Sequence, residues 1–238
     1  MSWKILVNGA PIYTSLGFVG FCNVTLIEAD DSYLIYDPGH FGNKEVLLGA
    51  LKDNGLSPLD IDGVILSHMH YDHSLNSLIF PNAKVYITKE EVEYTKNSPD
   101  NYSVTYLPDL LRDRIILVKD NEELYGLKFV LLPGHTAGSL GVIYKDTIFV
   151  GDAIKYIIDA QKSETSFAYY NITEANKSIR KVLDLASKVV PGHDIPFTIK
   201  RDGNKIQIIQ NIDLVNKEFI IYTKNNDYKI FIKKSDFS

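Results

Sequence analysis

Along most of this chain apolar residues come in short runs broken by turn-formers, a rhythm that predicts strands alternating with a few helices. Strands are expected over residues 4–7, 23–28 and 32–36, the last two separated by Asp30-Asp31. A helix over 45–54 ends at Gly55, and Ser57-Pro58 opens the connection to a short buried strand over 63–66. A strand over 84–88, a helix over 89–96 and strands over 115–119 and 127–132 follow, then a hairpin pairing 140–144 with 147–150 around Lys145-Asp146. Asn171 with Glu174 three residues on reads as a cap opening a helix to about residue 187, and Val189-Val190 forms a short strand after it. Two hairpins close the chain: 197–200 with 205–210 around Asp202-Gly203, and 218–224 with 228–234 around Asn225-Asn226-Asp227. Strands and helices interleaved in both halves point to mixed α and β layers rather than a pure β sandwich.

Composition narrows the class. The chain has 238 residues, 45% of them hydrophobic, enough to bury a sizeable core as one unit. One domain over 1–238 is expected, with a hairpin-rich C-terminal extension at about 197–238. A net charge of −5 gives no overall attraction for nucleic acid or an anionic membrane. The only apolar run near the N-terminus is Ile5-Leu6-Val7, too short for an export signal, and no stretch is long enough to span a bilayer. The single cysteine, Cys22, cannot form an internal disulfide and reads as buried filler, so a cytoplasmic location is expected. The mildly basic, β-rich tail reads as lysine-protected edge strands and could serve as the edge of a homodimer.

The candidate chemistry is concentrated in SHMHYDH, Ser67 to His73, which holds three of the six histidines. A strand ending at Leu66 throws alternate side chains to one side, so His68 and His70 can converge on one cation while Asp72 and His73 face a second. Further donors occupy similar settings: His135 in LLPGHTAGS, Asp152 in FVGDA and His193 in VVPGHD each follow an apolar run and sit at or beside a glycine turn. Imidazole and carboxylate donors without thiolate suit Zn²⁺, with Fe²⁺ and Mn²⁺ as alternatives. Seven such donors imply two divalent metal ions with open positions, whereas a structural zinc would favour a closed, cysteine-rich set.

The run H-x-H-x-D-H followed by distant His, Asp and His resembles the metallo-β-lactamase superfamily over roughly residues 20 to 195. Tyr36-Asp37-Pro38-Gly39 resembles the acidic-glycine turn that precedes the motif in that family, and HYDHSLNSLIFPNA resembles a subgroup of small hydrolases with D-H-x-x-N-x-x-x-F-P. The resemblance implies an α+β fold, a four-layer αββα sandwich of two mixed β-sheets with helices on the outer faces and the metal site at one sheet edge. It assigns His68, His70 and His135 to the first metal, Asp72, His73 and His193 to the second, and Asp152 to both. Two cations sharing a water would generate a bridging hydroxide, oriented by Asp72 as the catalytic acceptor, for attack on a carbonyl or phosphoryl centre.

Departures from the family's branches exclude more than they select. Its secreted β-lactamases place a cysteine in the second site or lack the bridging aspartate, and this chain has Asp152. Glyoxalase II adds a helical C-terminal domain, where this tail reads as hairpins. The nuclease branches carry an RNA-binding domain that finds no counterpart here, which leaves ribonuclease activity an outsider. Acyl-homoserine lactonases place a tyrosine after the bridging aspartate, at the position held here by Lys155, with Tyr156 next. The expectation is a dinuclear hydrolase, with zinc as the metal, cleaving a small ester, lactone or thioester. A mononuclear iron enzyme resembling persulfide dioxygenases is the alternative, and a non-catalytic ligand-binding module a third. Expected substrate contacts are His40, Asn76 and Tyr156, with Phe41 and Tyr71 as further pocket candidates. Ser67, Thr136 and Ser139 are the candidates to orient the imidazoles.

Overall fold

A computed structural model describes residues 2–15, 17–98, 100–203, 205–211 and 213. Two mixed sheets face each other. The first orders its strands as Ser2–Val7, Val24–Ala29, Ser32–Tyr36, Gly63–Ile65, Lys84–Thr88 and Ile115–Val118. The second runs from Lys205–Gln210 through Phe197–Asp202, Lys188–Pro191, Thr147–Gly151, Leu140–Tyr144 and Leu127–Leu131 to Glu123–Leu124.

The period-2 geometry of these strands explains why their sequences read as unbroken apolar runs, since both faces of each sheet are covered. Leu34, Tyr36, Ile65 and Tyr86 point inward to meet Phe129, Leu140, Val142, Phe149 and Val190 of the opposite sheet. Their neighbours Ile35, Val64, Val85 and Ile87 point outward against Leu47 and Leu51 of the helix Lys44–Asp53 and Leu107 and Leu111 of Leu107–Leu111. On the far side Val130, Ile148, Val150 and Val189 pack under Ile179, Val182 and Leu183 of the helix Ile172–Leu185. Three apolar clusters between four layers make the αββα sandwich.

Asn171 caps the last of these helices, accepting from the backbone N–H of Thr173 at 2.9 Å and of Glu174 at 3.1 Å. The expected hairpin around Asp202-Gly203 forms, with Asp202 opposite Lys205, and its first strand pairs with Lys188–Pro191. Among the described residues it therefore forms one edge of the second sheet. The hairpin expected over 218–234 lies outside the described residues. Short elements that the apolar rhythm did not announce include the helices Tyr71–Ser74, Leu107–Leu111 and Ile157–Lys162 and the small ribbon pairing Tyr13–Thr14 with Gly17–Phe18. Each is too short to complete a periodic pattern.

Candidate metal centre

Strand direction delivers the site. Gly63–Ile65 runs parallel to both Ser32–Tyr36 and Lys84–Thr88, so Asp37 and the 67–73 loop emerge at one end of the first sheet. Thr147–Gly151 and Lys188–Pro191 are likewise parallel, which brings Asp152 and His193 out together from the second. A hydrogen bond from Leu140 N to Ser67 O at 2.8 Å ties the two edges to each other. Gly151, at φ 50°, makes the turn into Asp152, and a Cβ there would lie 2.2 Å from Ser67 Oγ. Gly192 has a similar duty, since its Cβ would fall 2.0 Å from Asp152 Oδ1.

All seven expected donors converge, and all are buried. Three groups each place their ligand atoms within 4.8 Å of one another: His68, His70 and His135; His68, His73 and Asp152; Asp72, His73 and His193. The imidazoles are held from outside. His68 Nδ1 lies 2.8 Å from Ser67 Oγ, which itself donates to Asp37 Oδ2 at 2.6 Å, so the histidine is the donor. His73 Nδ1 donates to the same carboxylate at 2.9 Å, His70 Nε2 to Asp100 Oδ2 at 2.5 Å, and His193 Nδ1 to the Phe21 carbonyl at 2.8 Å. A proton committed outward leaves a lone pair on the other ring nitrogen. The inner nitrogens face one another: His70 Nδ1 is 3.2 Å from His135 Nε2, and His73 Nε2 is 3.1 Å from His193 Nε2.

Ring nitrogens converging in this way, with His68 Nε2 and Asp152 Oδ1 buried and without hydrogen bonds, are what a cation site requires. Without a cation, protons take over part of that role. Burial, reinforced by neighbouring imidazoles, pushes His68 and His135 well below the usual histidine range and keeps them neutral. Burial also works against charge on His73 and His193, but the surrounding aspartates outweigh it and hold both above the usual value. Asp72 and Asp152 are held low despite burial, Asp72 chiefly by His73 and Asp152 by Lys155 and three histidines. The pair thus carries negative charge that divalent cations would neutralise.

Of the residues expected to orient the imidazoles, Ser67 does so. The hydroxyls of Thr136 and Ser139 are directed elsewhere: Thr136 Oγ1 donates to Glu91 Oε2 at 2.6 Å and lies 2.7 Å from Ser139 Oγ. Glu91 is itself a brace that the sequence did not single out. Fully buried, it accepts from Met69 N at 2.9 Å and Gly138 N at 3.1 Å, joining the loops that carry His68, His70 and His135. Asp37 and Asp100 were equally unannounced as partners, although the Asp37-Pro38-Gly39 turn was visible. Asn23 holds the His193 loop by donating to the carbonyls of Pro191 and Asp194, both at 2.8 Å.

Two cavities open on this cluster. A small one of about 50 Å³ is lined by His70, Asp72, Lys155, Phe18, Tyr13, Tyr102 and Tyr169. A larger one of about 330 Å³ reaches His135, Asp152 and Lys155 between walls that include Tyr156, Ile158, Phe167 and Tyr169. Tyr156 is on its wall, with its hydroxyl 3.0 Å from that of Tyr13. Asn76 is fully buried and its amide donates to the carbonyls of Pro38 and His40 and to Asn43 Oδ1, so it braces the 38–43 loop behind the site. His40 stacks on Phe21, ring centroids 5.1 Å apart, and accepts from Gly42 N; neither residue lines the described cavities. Phe41 is exposed, and Tyr71 donates to the Phe18 carbonyl while stacking on Tyr102.

Asp159, on the large cavity, is pushed up to about 6 by burial. An acid raised by folding favours the fold when protonated, so its contribution declines from about pH 4 to 6 and leaves a cost above that. At 1.36 kcal/mol per pH unit the cost is about 3 kcal/mol. Asp159→Asn, which keeps an acceptor for Tyr156 N, is expected to raise Tm at pH 8 and to leave it unchanged at pH 4, measured by calorimetry.

The family model described as the metallo-beta-lactamase superfamily matches residues 17–193. A protein of Methanocaldococcus jannaschii named as a probable metallo-hydrolase is 32% identical over 161 residues, 68% of this chain and 70% of that protein. An N-acyl homoserine lactonase of a Bacillus species is 27% identical over 158 residues, and the match spans 63% of this chain and 62% of the lactonase. Among solved structures, the dizinc quorum-quenching lactonase AidC with its product N-hexanoyl-L-homoserine superposes with a TM-score of 0.67 at 21% identity, covering 86% of this chain and 82% of that one.

Proposed function

Because the chain belongs to the metallo-β-lactamase superfamily, we propose that it is a dinuclear metal-dependent hydrolase of a small ester, lactone or thioester. The observation that carries this reading is the pair of inward-facing nitrogen sets with Asp152 between them. His68, His70 and His135 would hold one cation, Asp72, His73 and His193 the other, and Asp152, whose two oxygens lie 3.3 Å from His73 and His193 and 3.4 Å from His135, would serve both. Two three-donor groups favour a pair of cations over a single iron. When bound, such cations, zinc with this donor set, would lower the pKa of water towards neutrality and polarise a carbonyl oxygen.

The chain's own groups do the rest. Asp72 lines the small cavity and is held ionised, so it can accept a hydrogen bond from an incoming water and orient it. The small cavity has room for a few waters, whereas the large one suits a compact acyl group. Tyr156 and Tyr169 offer hydroxyls at its wall, and Ile158 and Phe167 supply apolar surface. Lactonase relatives add weight to the ester and lactone classes. The test is to load the purified protein with zinc and offer lactones, aryl esters and thioesters. Turnover with about two zinc ions per chain, abolished by Asp72→Ala, is the expected result; less than one metal per chain, or no hydrolysis of any of the three, would sink the reading.

A further inference from the structure

Lys155 lines both cavities. It follows directly on the Asp152–Ile154 turn, and its side chain is only 21% exposed, with Nζ 3.1 Å from Asp152 Oδ2. The rings of Phe18 and Tyr156 flank the ammonium at 5.0 and 5.8 Å. An ammonium has three N–H donors, and a single carboxylate oxygen at this distance engages one of them. Aromatic faces attract the charge without consuming a donor. Lys155 therefore brings donors beyond the one engaged by Asp152 to the boundary that the small space beside Asp72 shares with the larger cavity.

That boundary has a chemical meaning. Under the hydrolase reading, on which this inference rests, water approaches from one side and the acyl compound fills the other, so the acyl carbon lies between them. We propose that Lys155 is a catalytic residue whose ammonium donates a hydrogen bond to the substrate oxygen that gains negative charge as water adds. In this step the water oxygen forms a bond to the acyl carbon and the carbonyl π electrons move onto the acyl oxygen. Collapse of the adduct breaks the bond to the leaving oxygen or sulfur, which departs with the electron pair and takes up the proton lost by the water. Lys155 keeps its own proton throughout, and no further reactant is needed. A fixed donor aimed at developing charge in a confined site stabilises the transition state more than the ground state.

The competing role is a mere counter-ion to Asp152. The two are separated with zinc-loaded, full-length Lys155→Met by measuring metal content, the kinetics of ester hydrolysis, and calorimetric affinity for an alkyl phosphonate and for the matching neutral alcohol. The phosphonate carries the charge and tetrahedral shape of the adduct; the alcohol does not. Expected are two metals per chain, a kcat roughly 100-fold lower with KM little changed, and phosphonate affinity lower by a similar factor while alcohol affinity holds. Lys155→Arg should recover part of both losses. Unchanged phosphonate affinity, or a loss of activity matched by loss of metal, would overturn the proposal. If the methionine variant fails to fold, Lys155→Gln carries the same comparison. A wild-type protein that hydrolyses nothing would refute the hydrolase reading instead, and the phosphonate comparison would still decide whether Lys155 meets the anion.

Discussion

Asp152→Ala is expected to bind one metal ion or fewer per chain, measured by elemental analysis after zinc loading, and to lose ester hydrolysis. The carboxylate stands between both donor groups, within 3.4 Å of three imidazoles. Losing an outer partner of a metal ligand costs roughly 10- to 100-fold in affinity or activity, so losing the shared carboxylate itself should cost more. A second effect appears without metal. The alanine would leave Lys155, whose raised pKa owes most to Asp152, as a largely buried ammonium without its partner. Breaking a buried pair from one side costs about 3 kcal/mol when the surviving group can turn partly towards a cavity. For a chain of this size that is a Tm lower by about 6–12 °C in chelator. An alanine variant that keeps two zinc ions would show that Asp152 is not shared.

Removing metal from the wild-type protein should lower Tm by about 8–16 °C. Ligand that binds only the folded state stabilises by about 4 kcal/mol at 1,000 times its dissociation constant, and each kcal/mol moves Tm by about 2–4 °C here. The structural ground is the unpaired inner face of the cluster. His68 Nε2 and Asp152 Oδ1 are buried without hydrogen bonds, and the inner nitrogens of His73 and His193, like groups that both draw charge from the aspartates, meet at 3.1 Å. Each is a cost to the metal-free fold that cations would convert into bonds. Scanning calorimetry across a zinc titration should show Tm rising with the logarithm of free zinc. A Tm indifferent to both chelator and added zinc would mean that the cluster holds no cation.

The order of elements and the candidate donors were legible in the chain for related reasons. Strands such as Ser32–Tyr36 and Lys84–Thr88 declare themselves because a period of two and flanking turns are local properties. The donors were legible because H-x-H-x-D-H concentrates rare residues, and because His135, Asp152 and His193 stand at glycine turns that end apolar runs. The layer each strand joins, and hence which of Ile35 and Tyr36 faces the opposite sheet, is decided by packing between distant segments.

The residues that hold and surround the donors were not legible. Asp37 meets Ser67 and His73 across 30 and 36 residues, Asp100 meets His70 across 30, and Glu91 reaches Thr136 across 45. An aspartate in a loop or a glutamate on a helix face reads as solvated, and only the closed fold shows these to be buried. Asn76 reversed the lesson: close to the motif, it looked like a substrate contact, yet it is buried and its amide NH2 bonds to the 38–43 loop. Sequence thus determined the kinds of donor and the strand ends that carry them, because spacing and turn chemistry act locally. Tertiary structure alone decided which nitrogen of each imidazole faces inward and where Lys155 stands, because both depend on partners brought together only when the two sheets close.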